Sequence, residues 1–178
     1  MFPIINDLKK YRVANPTEAL LVDDFINFLN QKKEQPFSRE NLSRHITASA
    51  WLLNPNETKA LLTHHRKLNI WIQLGGHCDG SSDVLSSALR EAEEESGIIG
   101  IEPLLLSIFD IDKHLIPKIA LEPEHFHYDI RFIFKAPHEN FIISNESKEL
   151  GWFELNDSFF SSERALSIMR MHQKWKDL

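Results

Sequence analysis

The sequence predicts one domain of mixed α/β (α+β) class, and three observations carry that reading. Strand-like and helix-like segments interleave along the chain, no repeat or low-complexity stretch breaks them up, and 178 residues suit one domain that buries roughly 70 % of its unfolded surface. With 42 % hydrophobic and 26 % charged residues the composition is that of a soluble globular chain, and its apolar runs are too short to span a bilayer.

The elements follow in order. Residues 17–33 place Leu21, Val22, Phe25, Ile26 and Leu29 at helical spacing behind Thr17 as N-cap. Ser38 caps a short second helix through Arg44. "HITASAWLLN" and "ETKALLTHH" flank the turn "NPNE" as a hairpin, and "NIWIQL" (69–74) is a further strand ended by Gly75 and Gly76. A helix over about 83–96 starts near Asp83 with Ser81 or Ser82 as cap, carries Leu85, Ala88, Leu89 and Ala92 as its apolar stripe, and closes on Gly97. "PLLLSIFDI" (103–111) reads as a buried strand. In "HFHYDIRFIFK" (125–135) the set Phe126, Tyr128, Ile130, Phe132 and Phe134 faces one way. His125, His127, Asp129 and Arg131 face the other, either into solvent, the default, or onto the floor of a cleft. "ELGWFEL" (149–155) is the last strand, and Ser161 or Ser162 caps a C-terminal helix with Ala165, Ile168, Met169 and Trp175.

Charge and cysteine content narrow the function. A net charge of -6 without clustered Lys and Arg argues against nucleic acid. Cys78 is the sole cysteine, so no intramolecular disulfide forms, and with no secretory signal in "MFPIINDLKKYRVANP" the expected compartment is the cytoplasm. No membrane partner is expected.

The helix over 83–96 poses a problem, because Glu91 lies beside both Glu94 and Glu95 at i+3 and i+4. Fully wet, each like-charge pair costs about 0.2–0.5 kcal/mol, and the cluster is an ordinary acidic surface. Beside a cleft of effective dielectric near 20, two carboxylates about 6 Å apart repel by roughly 3 kcal/mol. Arg90 can offset one charge. A hard divalent cation offsets the rest, since Mg²⁺ takes oxygen ligands and joins carboxylates to phosphates.

The segment from Gly76 to Ile98 resembles the Nudix box, G-x5-E-x7-R-E-U-x-E-E-x-G-U, with Gly76, Arg90, Glu91, Glu94, Glu95, Gly97 and Ile98 on motif positions. Ser82 stands where the motif has its first Glu, and Ala92 is a small version of the aliphatic. In the family that first Glu supports the loop and pairs with the motif Arg; here Arg90 is left to bond Asp83 or Glu94. The likeness covers about residues 45–155. It implies a Nudix-type α/β/α sandwich over 45–178, with residues 1–44 as a helical extension packed on it as a lid, a homodimer surface or an added core layer. It further implies a pyrophosphohydrolase acting on a nucleoside diphosphate linked to another moiety, with Mg²⁺ or Mn²⁺.

Carried over residue by residue, the resemblance makes Glu91 and Glu95 direct metal ligands, Glu94 a ligand directly or through water, and the Gly75 carbonyl a further donor. Glu94 and Glu95 would be catalytic. The general base comes from Glu146, Glu149, Glu122 or Glu124, with Glu146 preferred. His77, beside the glycines, and Arg90, His127 and Asp129 are the substrate-binding candidates; Cys78 has no assignable activating base. Trp51 and Trp71 could stack on a base, but both belong to apolar strands, where packing is the commoner role. A Nudix domain that binds without cleaving is the second reading. An isoprenoid-diphosphate isomerase ranks last, because those enzymes carry a Cys where Gly75 stands.

Overall fold

The computed structural model describes residues 2–31, 34–66, 69–118, 123–145, 147–154 and 166–178. Its helices are α1 (Ile4–Ala14), α2 (Ala19–Leu29), α3 (Val84–Ser96) and α4 (Leu166–Lys176). Its strands are β1 (Arg44–Leu53), β2 (Ala60–His65), β3 (Ile70–His77), β4 (Glu102–Pro103), β5 (Asp110–Ile116), β6 (His125–Lys135) and β7 (Ser147–Phe153).

The strands form one mixed sheet in the order β4-β6-β1-β3-β2-β7, with β5 also paired to β6. β1 and β6 run parallel, and every other pair is antiparallel. Parallel neighbours need a long crossover, and α3 lies on that crossover. Both faces of the sheet are covered. On one, α1, α2 and α3 bury their stripes against Ile46, Ala48 and Ala50 of β1 and Tyr128, Ile130, Phe132 and Phe134 of β6. On the other, Ile168 and Met171 of α4 pack on Trp51, Leu53, Leu62 and Ile133. This is an α/β/α arrangement around a mixed sheet.

The N-terminal helices belong to the core. Phe25 and Phe28 of α2 are fully buried, with ring centroids 4.9 and 4.8 Å from Tyr128. α1 contributes Ile4, Ile5, Leu8 and Tyr11, a helical stripe overlooked in the sequence. α2 differs from the expected 17–33. Pro16–Glu18 forms a short 3-10 turn, Thr17 lies inside it rather than capping, and the helix ends at Leu29.

Other expectations give way for local reasons. No helix spans Ser38 to Arg44, because the Asn41 side chain accepts from the Ser43 and Arg44 N–H groups and turns the chain into β1. Gly75 and Gly76 do not end β3, which continues through them to His77. Between Pro103 and Asp110 the chain bulges outward while β6 advances only from Phe134 to Arg131, so 103–111 is two strands with a loop between. Asp83, not Ser81 or Ser82, caps α3, accepting from the Ser86 N–H, and Gly97 closes the helix at φ 67°. On α4 the buried methionine is Met171, and Met169 is exposed. The proposed caps Ser161 and Ser162, with Ala165, lie outside the described residues. Among the described residues no helix is long and apolar enough to cross a membrane.

Candidate active site

Strand register builds the floor of a cavity. Alternation puts every second residue of β1, β5 and β6 on the face away from α3, and the pairing aligns them in rows. Asp110, Arg131, Ser49 and Gly75 form one row, Asp112, Asp129, Thr47 and His77 the next, and His114, His127 and His45 the third. The polar side of β6 is therefore buried, not solvated: Asp129 is 1 % and Arg131 2 % exposed.

A buried carboxylate must be paired and hydrogen-bonded, and this floor meets the rule. Asp129 accepts from Thr47 Oγ1 (3.0 Å), Ser49 Oγ (2.8 Å), Gln73 Nε2 (3.3 Å) and Arg131 Nε (2.7 Å). Arg131 also reaches Asp110 at 2.9 Å, Asp112 at 3.2 Å and Ser167 Oγ at 2.6 Å. Arg170 and Lys174 of α4 add further donors to Asp110. Burial alone would raise the Asp110 and Asp112 pKa values, but the surrounding cations, and for Asp112 also His114, hold both below the usual carboxylate range.

The glutamates approach from α3. Glu91 and Glu95 are 9 % and 6 % exposed, which excludes a fully wet acidic face, whereas the Glu94 side chain is 60 % exposed. Glu91 packs directly on Gly76, where a Cβ would collide with its carboxylate. A Cβ on Gly75 (φ 151°) would strike the Ala48 carbonyl and the Ser49 hydroxyl. The glycine pair is thus required by close approach on both faces of β3. Arg90 bridges Glu91 and Glu94, each at 2.9 Å, and donates to the His77 carbonyl at 2.8 Å. It does not bond Asp83, whose carboxylate is spent on the Ser86 N–H and hydroxyl of its own helix cap. Glu93, pointing away from the cluster, accepts from Gly100 N–H.

Histidines occupy the far end of the floor. The His45 ring centroid lies 5.0 Å from His77, 5.0 Å from His125 and 4.8 Å from His127, and His114 lies 5.5 Å from His127. Burial, reinforced by Arg39, pushes the His77 pKa down to about 4. Burial and the neighbouring His114 push that of His127 down to about 2, so both rings are neutral at pH 7. Next to them, burial raises the Cys78 thiol to about 12 and keeps it protonated.

The result is a cavity of about 440 Å³. Gly75, His77, Arg90, Glu91, Glu94, His127 and Asp129 all line it. Glu95 is buried one helical turn further along α3, and Glu146 and Glu122 lie outside the described residues. Glu149 is an exposed residue of β7, paired with His64. Trp51 is buried against Trp175, and Trp71 packs on His64 and Phe153. Sequence reasoning missed Arg39, His65, Arg66, Gln73 and His114, which also line the cavity. For Gln73 the signal was strand alternation with the already suspected Gly75; His114 and the loop arginines gave none.

Comparison with known proteins agrees with this geometry. A model of the NUDIX domain family matches residues 43–170. Similar solved structures include a NUDIX-family hydrolase from Clostridium perfringens, 21 % identical with TM-score 0.55, covering 75 % of this chain and 97 % of that one. The E. coli dihydroneopterin triphosphate pyrophosphohydrolase is 13 % identical with TM-score 0.55, covering 75 % and 96 %. The NUDIX domain of Shewanella oneidensis NrtR, complexed with ADP ribose, is 15 % identical with TM-score 0.54, covering 76 % and 88 %. These identities speak for a shared fold alone, and a search of curated proteins finds no match. The family model spans most of the chain, including β1, the glycine pair and the glutamate-bearing α3, and on that ground the chain belongs to the Nudix family.

Proposed function

We propose that the chain is a divalent-metal-dependent pyrophosphohydrolase, cleaving the diphosphate of a nucleoside diphosphate linked to another moiety. The observation that carries this reading is the burial of Glu91 and Glu95 on one face of α3, with Glu91 seated on Gly76 at the wall of a polar cavity. Arg90 offsets one charge of the Glu91, Glu94 and Glu95 cluster, and a divalent cation would offset the rest. The donor set of carboxylates with the Gly75 carbonyl is all oxygen, the preference of Mg²⁺ or Mn²⁺. Glu91, Glu95 and the Gly75 carbonyl would hold such an ion, which would supply charge neutralisation for the phosphoryl oxygens and a polarised water.

The remaining roles fall to the chain itself. Arg90 holds Glu91 and Glu94 in place from the His77 carbonyl. Arg66 is tethered to the carbonyls of Asn145 and Ser147 and Arg39 to Asp79; each keeps spare N–H donors for phosphate oxygens. Of the acids lining the cavity, Asp129 accepts four hydrogen bonds and Asp79 is paired with Arg39. We assign the water's proton to Glu146, the base the sequence reading prefers, or to Glu94, the most exposed of the box glutamates, which lines the cavity. Residues 1–44 serve as a helical extension of the 45–178 domain, and the setting we propose is cytoplasmic.

A domain that binds its nucleotide without cleaving it is the second reading, favoured by Ser82 in place of the first box glutamate. Turnover separates the two. ADP-ribose, nucleotide sugars, dinucleoside polyphosphates and nucleoside triphosphates are offered with Mg²⁺ or Mn²⁺ and the products separated. The hydrolase reading expects Glu95→Gln to abolish metal-dependent turnover while the apo melting temperature holds or rises. Binding without any turnover by the wild type would establish the other reading.

A further inference from the structure

We infer that His45, His77 and His127 form a second metal site, for a borderline transition-metal ion of the zinc class. It is distinct from the glutamate site in position and in donor chemistry, and it does not depend on the hydrolase reading. One nitrogen from each of the three rings comes within 4.8 Å of the other two. The placement follows from the sheet: His45 and His127 are in-register partners on β1 and β6, and His77 on β3 pairs with Thr47, two residues along β1 on the same face.

Hydrogen bonding prepares the rings as ligands. His45 Nδ1 lies 3.1 Å from the Asn41 carbonyl, which can only accept, so Nδ1 carries the proton and Nε2 the lone pair. His125 Nδ1 likewise donates to the Pro123 carbonyl at 2.8 Å, which in a neutral ring leaves Nε2 as an acceptor. His127 Nε2 sits 3.0 Å from it and donates, so the His127 lone pair falls on Nδ1. His77 Nε2 is buried with no hydrogen-bond partner among the described residues, a cost that a metal bond would remove. Zinc-binding imidazoles characteristically have the opposite ring nitrogen held by a carbonyl or another acceptor, as His45 and His127 do here.

Three imidazoles without a carboxylate select against Mg²⁺ and for zinc-class ions. Zn–N bonds of about 2.0–2.1 Å in a tetrahedron put nitrogens about 3.4 Å apart, so the rings close by up to about 1.4 Å on binding. Three protein ligands leave a fourth position for water or a substrate oxygen, and His77 and His127 line the cavity from which it would come. His125, 3.0 Å from His127 Nε2, is the nearest outer neighbour, and His114, whose Nδ1 lies 3.0 Å from Asp112 Oδ2, stands on the other side of His127.

The test uses tag-free protein stripped by chelator, dialysed against Zn²⁺ or Co²⁺ and freed of excess metal. The wild type should retain one Zn²⁺ per chain, give the intense visible bands of four-coordinate Co²⁺, and melt higher with Zn²⁺ than without. A Glu91→Gln/Glu95→Gln double variant should keep all three properties. His77→Gln and His127→Gln should each weaken binding by at least about 100-fold, with unchanged circular dichroism. His77 is only partly buried, so its variant decides the matter should His127→Gln fail to fold. Failure of the wild type to hold an ion, or loss of the ion with the glutamates rather than the histidines, overturns the assignment.

Discussion

Arg131→Met removes the cation at the centre of the buried floor. Arg131 is 2 % exposed, and its guanidinium serves three aspartates and Ser167. Removing one partner of a buried ion pair costs about 3–5 kcal/mol, because the remaining charge is stranded away from water. Here the aspartates are not wholly stranded. Asp110 keeps Arg170 and Lys174, and Asp129 keeps Thr47, Ser49 and Gln73. The loss should fall at the lower end, about 3 kcal/mol, which for a domain of this size lowers the melting temperature by about 6–12 °C. Urea unfolding should show the same loss with an unchanged slope. The pH dependence gives a second reading. Asp110 and Asp112 are held below the usual range, so in acid the unfolded chain binds more protons than the folded one and stability rises with pH. Their contribution is whole above about pH 4 and is lost as pH falls below that. Arg131→Met raises both groups and should flatten that acid limb. A loss under about 1 kcal/mol with an unaltered acid limb would refute the account of the floor as one coupled network.

Phe25→Ala should cost about 3–5 kcal/mol in urea unfolding, since Phe25 is fully buried against Tyr128; a loss within experimental error would make α2 a detachable lid. Asp83→Ala should cost about 1 kcal/mol through loss of the α3 cap, read from the thermal midpoint. Gly76→Ala pushes Glu91 off its seat and should cut metal-dependent turnover about 100-fold, the scale of an ångström's misplacement; full turnover would show that Glu91 tolerates displacement.

Segments with a strong period were legible. β6 occupies the predicted 125–135, and α3 differs from 83–96 by one residue at its start. What failed was governed by contacts that no local pattern encodes. The polar side of β6 reads as a wet face, and the partners brought by β1, β3, β5 and α4, from Thr47 to Ser167, make burial of Asp129 and Arg131 affordable. Gly75 and Gly76 read as a strand end because glycine commonly marks one, yet their reason is the closeness of Glu91 and Ser49. At the site, the glutamates were legible because helical spacing brings them together by itself. His77 and His127 were named singly, but their grouping with His45 was not legible, since His45 and His127 are 82 positions apart and the parallel register of β1 and β6 makes them neighbours.

That register also explains why two kinds of donor meet in one cavity without mixing. Along β3 successive residues face opposite ways, so Gly76 opens toward α3 and Glu91, while Gly75 and His77 open toward the floor formed by β1 and β6. The absence of a side chain at Gly76 admits carboxylates from one side, and the imidazole of His77 joins the other nitrogens two rows from Arg131. The two sites touch at His77, whose carbonyl receives Arg90 while its ring joins the histidines. Because that link is backbone, replacing the His77 side chain leaves Arg90 its acceptor and Glu91 its seat. The substitution therefore removes nitrogen from one site without disturbing oxygen in the other, and this separability is what makes the two assignments independent claims about the same cavity.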